Sequence, residues 1–521
     1  MTTNDPIQVR MKWFERYLAH SGLESKDYQY RGVEWCLRNE LGLRKSDGME
    51  GEEEEDSRTV GIKGGFIADE MGLGKTIMMI GTMVAHFVPH TLIVLPVVLI
   101  EQWKQCFLKT CGHKVLLYYG SSKNKITEAM LRRAPIVLTS YDGILIKHEN
   151  KNKNKNKNKE EKENLLHKIK WNRVVFDEAH YLRNKKTQRW QSAQHLNAEI
   201  RWFVTGTPIQ NYQNDFFHLC ELLGICPSYA KKKEHWNHIV KSFVLKRTKR
   251  EVGILIPPLT IHHETVEWQS KEEEDCSKII HALTSVSNVD TNHMGHLATV
   301  VFNQFANYYG NTLRLTSLLF AKQVCIAPSL LTQTIEKVGL NGLIPPKTNS
   351  KLDALMDCLQ RNRNNGKGKL VFCHFQREID MIQEQLVKKA KYEADKIRVL
   401  DGRVSHAQKN NILQESNTQV LILQIKTCSE GLNLQEHFSE IYFVTPHWNP
   451  FLQDQAIARC HRIGQTQPVD VYHFCMNGFT SQKKSKEEEE RLPEISIDTY
   501  VDALHETKRK RSQDILSHED E

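Results

Sequence analysis

At 521 residues, 40% of them apolar, with 15 Pro, 27 Gly and a formal net charge of +8, the chain has the composition of a folded protein and is long enough for two or three domains. The uncharged apolar stretch at 92–100 is too short to span a bilayer, and the polar, acidic N-terminus lacks a signal-peptide core, so neither membrane insertion nor secretion is expected. Twelve cysteines never form a C-x-x-C pair, so reduced structural thiols without a structural zinc cluster are expected. Residues 480–521 carry eight Lys/Arg against twelve Asp/Glu, which leaves +12 on residues 1–479; that balance suits a polyanionic partner, or solubility alone.

Along the chain, GMEGEEEEDSR (48–58) reads as an acidic low-complexity loop. GFIADEMGLGKT (65–76) follows, and then four apolar runs of strand length, TLIVLPVV (91–98), APIVLTSY (134–141), RVVFDEA (173–179) and RWFVTG (201–206). Each ends in polar or turn residues. Continuous rather than alternating apolarity predicts strands covered on both faces, as in a parallel sheet flanked by helices. KNKNKNKNKEEKEN (151–164) interrupts the series as a solvated loop or a phosphate-contacting one. Residues 210–345 read as mostly helical. A second strand series then begins: KLVFCHF (369–375), IRVLDG (397–402), QVLILQ (419–424) and IYFVTP (441–446). The fold class expected is therefore α/β, with two parallel-sheet lobes and helical insertions between them. From SQKKSKEEEERLP (481–493) onward the chain reads as a charged, disordered tail, and KRKR (508–511) within it is a candidate nuclear import signal.

In open parallel sheets the chemistry gathers at the carboxyl ends of strands. Gly72 and Gly74 allow a tight loop whose amides face phosphates, Lys75 can reach the β/γ-phosphates, and Thr76 can ligate Mg²⁺ at a helix N-terminus. The strict loop pattern has Gly where this chain has Asp69. Asp177 and Glu178 close a strand, where a metal-holding carboxylate and a water-orienting base belong. In QDQAIARCHRIGQ (453–465), Arg459 and Arg462 are three apart and share a face if helical, where two guanidiniums could stabilise charge on a transferring phosphoryl group.

These motifs, in this order, resemble the SWI/SNF-type ATPases of the superfamily-two helicases. The likeness runs from about residue 27 to 475 through DYQYRGVEW (27–35), ADEMGLGKT (68–76), LIVLPVVLIEQW (92–103), LTSYD (138–142), FDEAHYLRN (176–184), TGTPIQN (205–211), FVLKRTK (243–249), LDGRVS (400–405), SEGLNLQ (429–435), and HWNP with HRIGQ (447–465). The family has Asp at the position of Asp69. The resemblance implies two RecA-like lobes, at 27–250 and 346–480, joined by a helical linker at 251–345, with 1–26 a separate N-terminal segment and 481–521 the tail. It further implies ATP and Mg²⁺ as cofactors, with Gln29 reading adenine and Asp69, Gly72, Gly74, Lys75, Thr76 and Gly431 at the nucleotide. Thr205 to Pro208 would couple hydrolysis to lobe movement, and Gly431 to Leu434 would contact nucleotide and strand. Ser140, Lys104, His374 and Trp448 are weaker candidates for DNA contact, and Trp448 could equally be buried against the second sheet. Catalysis would rest on Lys75, Asp177, Glu178, Arg459 and Arg462, with the arginines completing the site when the lobes close. The activity implied is ATP-driven movement along double-stranded DNA in chromatin or transcription complexes of a nucleus, and the bare arrangement is similar to minimal viral members that act in transcription. A strand-separating helicase and an inactive DNA-binding scaffold are the alternatives.

Overall fold

The structure, a computed structural model, describes residues 5–44, 58–146, 164–284, 295–340, 344–415, 417–428, 432–479 and 495–516. The acidic loop up to residue 57, the Lys/Asn tract up to residue 163, the charged run at 481–493 and Gly431 lie outside the described residues. The chain forms two compact units, Met1–Leu255 with Lys510–Glu521, and Ile256–Arg509.

The first unit is built on seven parallel strands: β1 (Lys63–Ile67), β2 (Thr91–Leu95), β3 (Leu116–Tyr118), β4 (Ile136–Ser140), β5 (Trp171–Asp177), β6 (Ala198–Val204) and β7 (Val244–Leu245), in the order β3-β4-β2-β5-β6-β1-β7. Alternate residues of β2 feed separate cores, Leu92 and Val94 into one and Ile93 and Leu95 into the other. Both faces are therefore covered, which is why the run is apolar throughout. The strand ends sooner than its apolar run because Pro96 caps the helix Val97–Cys111, whose first residues continue the apolar pattern. A buried ionic network sets the helix Asp27–Leu41 against the sheet: Arg173 at the start of β5 donates to both oxygens of Glu40, and Trp202 donates to Glu40 at 2.8 Å.

The second unit has six parallel strands: β8 (Leu259–Val266), β9 (Gly368–Cys373), β10 (Ile397–Leu400), β11 (Val420–Gln424), β12 (Phe438–Phe443) and β13 (Val469–Met476), in the order β10-β11-β9-β12-β13-β8. Val371 and Cys373 of β9 point into one core, Leu370 and Phe372 into the other. The segment 251–345, expected as a helical linker, is more than that, because β8 is an edge strand of this sheet. Its partly exposed, polar pattern LTIHHETV hides it from a search for apolar runs. The helices after β8 enclose their own core of Cys276, Ile280, Phe305, Phe320, Val324 and Leu331.

The tail expected to be disordered contains the helix Ile497–Leu516. Its charges conceal the anchors that order it. Asp498 forms a fully buried ion pair with Lys351 and also accepts from Thr445 (2.7 Å) and from the Met476 amide (3.1 Å), while Ile497 and Val501 enter the core. Burying two charges is costly unless each is paired and hydrogen-bonded, and here both are. The KRKR run lies within this helix, with Lys508 donating to the Trp448 carbonyl (2.5 Å) and Arg509 paired with Asp454 (2.8 Å). Among the described residues no helix is long and apolar enough to cross a membrane, and the eleven cysteines whose side chains are described are free.

Candidate active site

The order of the first sheet brings three strand ends side by side. β6 lies between β1 and β5, so the loop after β1, the Thr-Gly-Thr after β6 and the carboxylates after β5 form one row. At roughly 5 Å between neighbouring strands the row spans about 10 Å, the scale of a phosphate chain with its metal.

After β1 the chain turns through Gly72 (φ 93°) and Gly74 (φ 79°) into the helix Lys75–Ala85. Gly74 is required twice over, by its left-handed backbone and because a Cβ there would sit 2.5 Å from Gln29 Nε2. Gln29 donates to the Leu73 carbonyl (3.2 Å), which places its side chain against the loop. Lys75 folds back onto the loop, donating from Nζ to the carbonyls of Asp69 (2.8 Å) and Glu70 (3.4 Å). Thr76 is half-buried in the first turn of the helix. Asp69 differs from its expected place at the nucleotide: its carboxylate is fully buried and bidentate to Arg247, so it faces a guanidinium within the protein.

Asp177 Oδ2 accepts from Trp103 Nε1 (2.6 Å) and Oδ1 from the Glu178 amide (3.0 Å), while its carbonyl accepts from the Tyr141 hydroxyl (2.7 Å). Burial first, and the Glu178 carboxylate second, push the Asp177 carboxyl up to about 7 against the pull of the Trp103 and amide hydrogen bonds and of Lys75. Glu178 takes a left-handed backbone (φ 51°), a conformation that costs a side-chain-bearing residue about 1 kcal/mol or more and that recurs at active sites. The turn is held by the Tyr181 amide donating to the Glu178 carbonyl (3.1 Å), and it brings Glu178 Oε2 to 3.2 Å from His180 Nδ1.

After β6, Thr205 is fully buried; its amide donates to the Ile67 carbonyl (3.0 Å) and its hydroxyl accepts from the Thr207 amide (3.2 Å). A Cβ on Gly206 would lie 3.1 Å from Met71 and 3.5 Å from Lys75 Nζ, so this turn packs directly on the loop. Gln210 joins it to the carboxylate segment by accepting from Arg183.

In the second unit the helix Pro450–Ile457 ends before both arginines, so Arg459 and Arg462 do not share a helical face. The chain continues in turns, and the Arg459 carbonyl accepts from the Leu434 amide (3.1 Å). Arg462 Nη1 donates to Asn433 Oδ1 (2.5 Å), and burial lowers the guanidinium from its ordinary value. Two motifs distant in sequence, 429–435 and 447–465, are thereby joined.

The weaker candidates divide differently. Ser140 accepts from the Gly143 amide (3.1 Å) within a turn, and Lys104 pairs with Glu101 (3.1 Å) on an exposed helix face. His374 stacks on His447 and lies 3.4 Å from Lys322 Nζ, while Trp448 packs against the second unit's core with Lys322 over its ring. Trp103, Tyr141, Gln210 and Arg247 lie within the sequence motifs but carry no role that the sequence alone assigns. Their signal was an indole, a phenol, an amide and a guanidinium at fixed places beside the strand-end residues.

Two parallel α/β units, the first with a glycine loop and a carboxylate pair at neighbouring strand ends, define a helicase-like ATPase core of two RecA-like lobes. The SNF2-related domain matches residues 28–390, and the helicase conserved C-terminal domain matches residues 350–464. The chain belongs to the SNF2-related family, the SWI/SNF-type branch of the helicase-like, DNA-dependent ATPases. It is 26% identical over 508 residues to the zebrafish (Danio rerio) DNA excision repair protein ERCC-6-like, a match covering 81% of this chain and 34% of that protein. It is also 26% identical over 499 residues to the Xenopus tropicalis SWI/SNF-related matrix-associated actin-dependent regulator of chromatin subfamily A containing DEAD/H box 1, covering 82% of this chain and 48% of that one. The chain thus spans about a third to a half of the curated relatives it matches. Among solved structures, the Sulfolobus solfataricus SWI2/SNF2 ATPase core in complex with dsDNA aligns over 95% of this chain and 97% of that one, at 20% identity and a TM-score of 0.38.

Proposed function

We propose that the protein is an ATP-driven translocase on double-stranded DNA that remodels protein–DNA complexes in a nucleus and thereby regulates transcription. The observation that carries the reading is the row of loop, Thr-Gly-Thr turn and carboxylates across the ends of β1, β6 and β5, in a chain of this family. Relatives named for chromatin regulation and for DNA excision repair support work on protein-bound DNA.

Gln29 would meet the adenine, and the loop amides of residues 72–76 the phosphates, with Lys75 exchanging its carbonyl partners for phosphate oxygens. Thr76 and Asp177 would hold Mg²⁺. The donor set fits a hard cation, since a buried carboxylate beside a second carboxylate carries negative charge that Lys75 only partly offsets. When bound, the metal neutralises charge building up on the phosphate oxygens. Glu178 would orient water, its carboxylate set by the left-handed turn. Arg459 and Arg462 would stabilise charge on the transferring γ-phosphoryl group during turnover. DNA would be held through its phosphates, so affinity falls steeply with salt and carries little sequence preference.

The reading is tested by ATPase assays of the purified protein without nucleic acid and with duplex DNA, single-stranded DNA or RNA. The largest stimulation is expected from duplex DNA. Equal or greater stimulation by RNA overturns the translocase reading.

A further inference from the structure

We propose that Arg247, assisted by Lys249, is a positioning residue for the nucleotide loop and sets nucleotide affinity without touching the nucleotide. The inference rests on the reading of residues 68–76 as the ATP site.

The segment 245–249 runs alongside the loop and grips it at every second residue. The Ala68 amide donates to the Leu245 carbonyl (2.7 Å) and the Glu70 amide to the Arg247 carbonyl (2.8 Å). Arg247 Nε and Nη2 donate to the two Asp69 carboxylate oxygens (3.1 and 2.6 Å), and its Nη1 donates to the Tyr28 carbonyl (2.5 Å). One planar guanidinium therefore ties the loop to the first turn of the helix whose next residue, Gln29, holds the Leu73 carbonyl. The room for it comes from Gly32, where a Cβ would lie 2.9 Å from Arg247 Nη2 and 2.7 Å from Met78 Sδ. Lys249 adds its amide (2.7 Å) and its Nζ (2.8 Å) to the Glu70 carboxylate.

The two ion pairs are unequal. The Asp69 side chain is fully buried and that of Arg247 17% exposed, whereas the Glu70 side chain is 41% exposed. Exposed pairs contribute little, while a shielded bidentate pair holds its geometry, so Arg247 carries most of the effect. The consequence for the nucleotide follows from Lys75. Its ammonium rests on the carbonyls of Asp69 and Glu70 and must leave them to meet a phosphate. Residues 69 and 70 keep their backbone course through that exchange because their side chains are fixed from the other side. Pairing with Arg247 also neutralises the Asp69 carboxylate, which would otherwise add negative charge beside the triphosphate.

The test compares wild type with Arg247→Ala, Arg247→Lys and Lys249→Ala in the full chain. Affinity for a fluorescent N-methylanthraniloyl-ADP with Mg²⁺ is measured alongside steady-state ATP hydrolysis on duplex DNA. Loss of the bidentate clamp is expected to weaken nucleotide binding and raise the KM for ATP by roughly tenfold in Arg247→Ala and about threefold or more in Arg247→Lys, with kcat changed less than about twofold. Lys249→Ala is expected to shift both by less than about threefold. A role confined to folding would lower thermal stability and leave KM untouched. Nucleotide affinity in Arg247→Ala within twofold of wild type overturns the inference; where that variant does not fold, the same result in Arg247→Lys overturns it. Wild-type protein that binds no nucleotide strikes instead at the ATPase reading.

Discussion

Replacing Trp103 by Phe removes the indole N–H that donates to Asp177 Oδ2 at 2.6 Å and keeps most of the ring volume in the core. The carboxyl already titrates at about 7, because burial and the neighbouring Glu178 outweigh the hydrogen bonds that favour its charge. A hydrogen bond to a charged group contributes about 1.5–3 kcal/mol, and 1.4 kcal/mol is one pH unit, so its loss raises the Asp177 carboxyl by about 1–2 units. An acid whose folded value rises is protonated over a wider range, and a metal ligand must be deprotonated. The acid limb of the ATPase pH profile should therefore move upward by about 1–2 units, and the Mg²⁺ needed for half-maximal rate at pH 7.5 should rise several-fold. The defect should be recovered by excess Mg²⁺ or at pH 9. Thermal melts account separately for the lost packing, which costs about 1–3 kcal/mol for a partial truncation in a core. An acid limb and Mg²⁺ dependence that coincide with wild type would refute the assignment of Trp103 as the group that poises Asp177.

Other outcomes follow from the same geometry. Glu178→Gln should bind ATP with near wild-type affinity and lose turnover by at least about a hundredfold, measured by nucleotide binding and single-turnover hydrolysis; retention of more than about a tenth of the rate contradicts its role. Arg462→Ala should lower kcat far more than nucleotide affinity, whereas Asn433→Ala, which removes the side-chain oxygen that accepts from Arg462, should lower kcat less; an unchanged kcat for Arg462→Ala on duplex DNA removes it from the chemistry. Burial holds His281 and His505 down to about 4 and His447 and His473 down to about 3, so in the second unit the folded chain refuses protons that the unfolded chain accepts below about 6.5. Their stability is present above pH 6.5 and is lost as pH falls, on the order of 2 kcal/mol each by pH 5. Burial raises Glu378 in the same unit and Asp177 in the first unit to about 7, so their protonation runs the other way and offsets about two of the four histidines. Thermal midpoints should drop between pH 7 and 5, and a flat profile contradicts the burial of these imidazoles.

What the sequence disclosed was set by how each signal is generated. The runs that became β2, β4, β5 and β6 were readable because strands covered on both faces must be apolar throughout. β8 was not, since an edge strand tolerates His262, His263 and Glu264 on a partly exposed surface. The helix Ile497–Leu516 was obscured by its charges, because the buried Asp498–Lys351 pair joins residues 147 positions apart. The placement of Lys75, Asp177 and Glu178 at strand ends was legible because each directly follows an apolar run or a glycine-rich turn in the sequence. The contacts of Trp103 and Arg247 were not, since they reach Asp177 and Asp69 across 74 and 178 residues. Arg459 and Arg462 suggested a helical face by their spacing, but the helix stops at Ile457 where the chain turns to meet Leu434 and Asn433.

Movement of this protein along intact duplex DNA, driven by ATP hydrolysis, is open to direct measurement. The most direct measurement pairs two substrates under the same conditions, a DNA triplex whose third strand reports displacement and a forked duplex whose strands report separation. With ATP and Mg²⁺ the protein is expected to displace the third strand and leave the fork paired, while Glu178→Gln does neither. Efficient unwinding of the fork without triplex displacement would contradict the account.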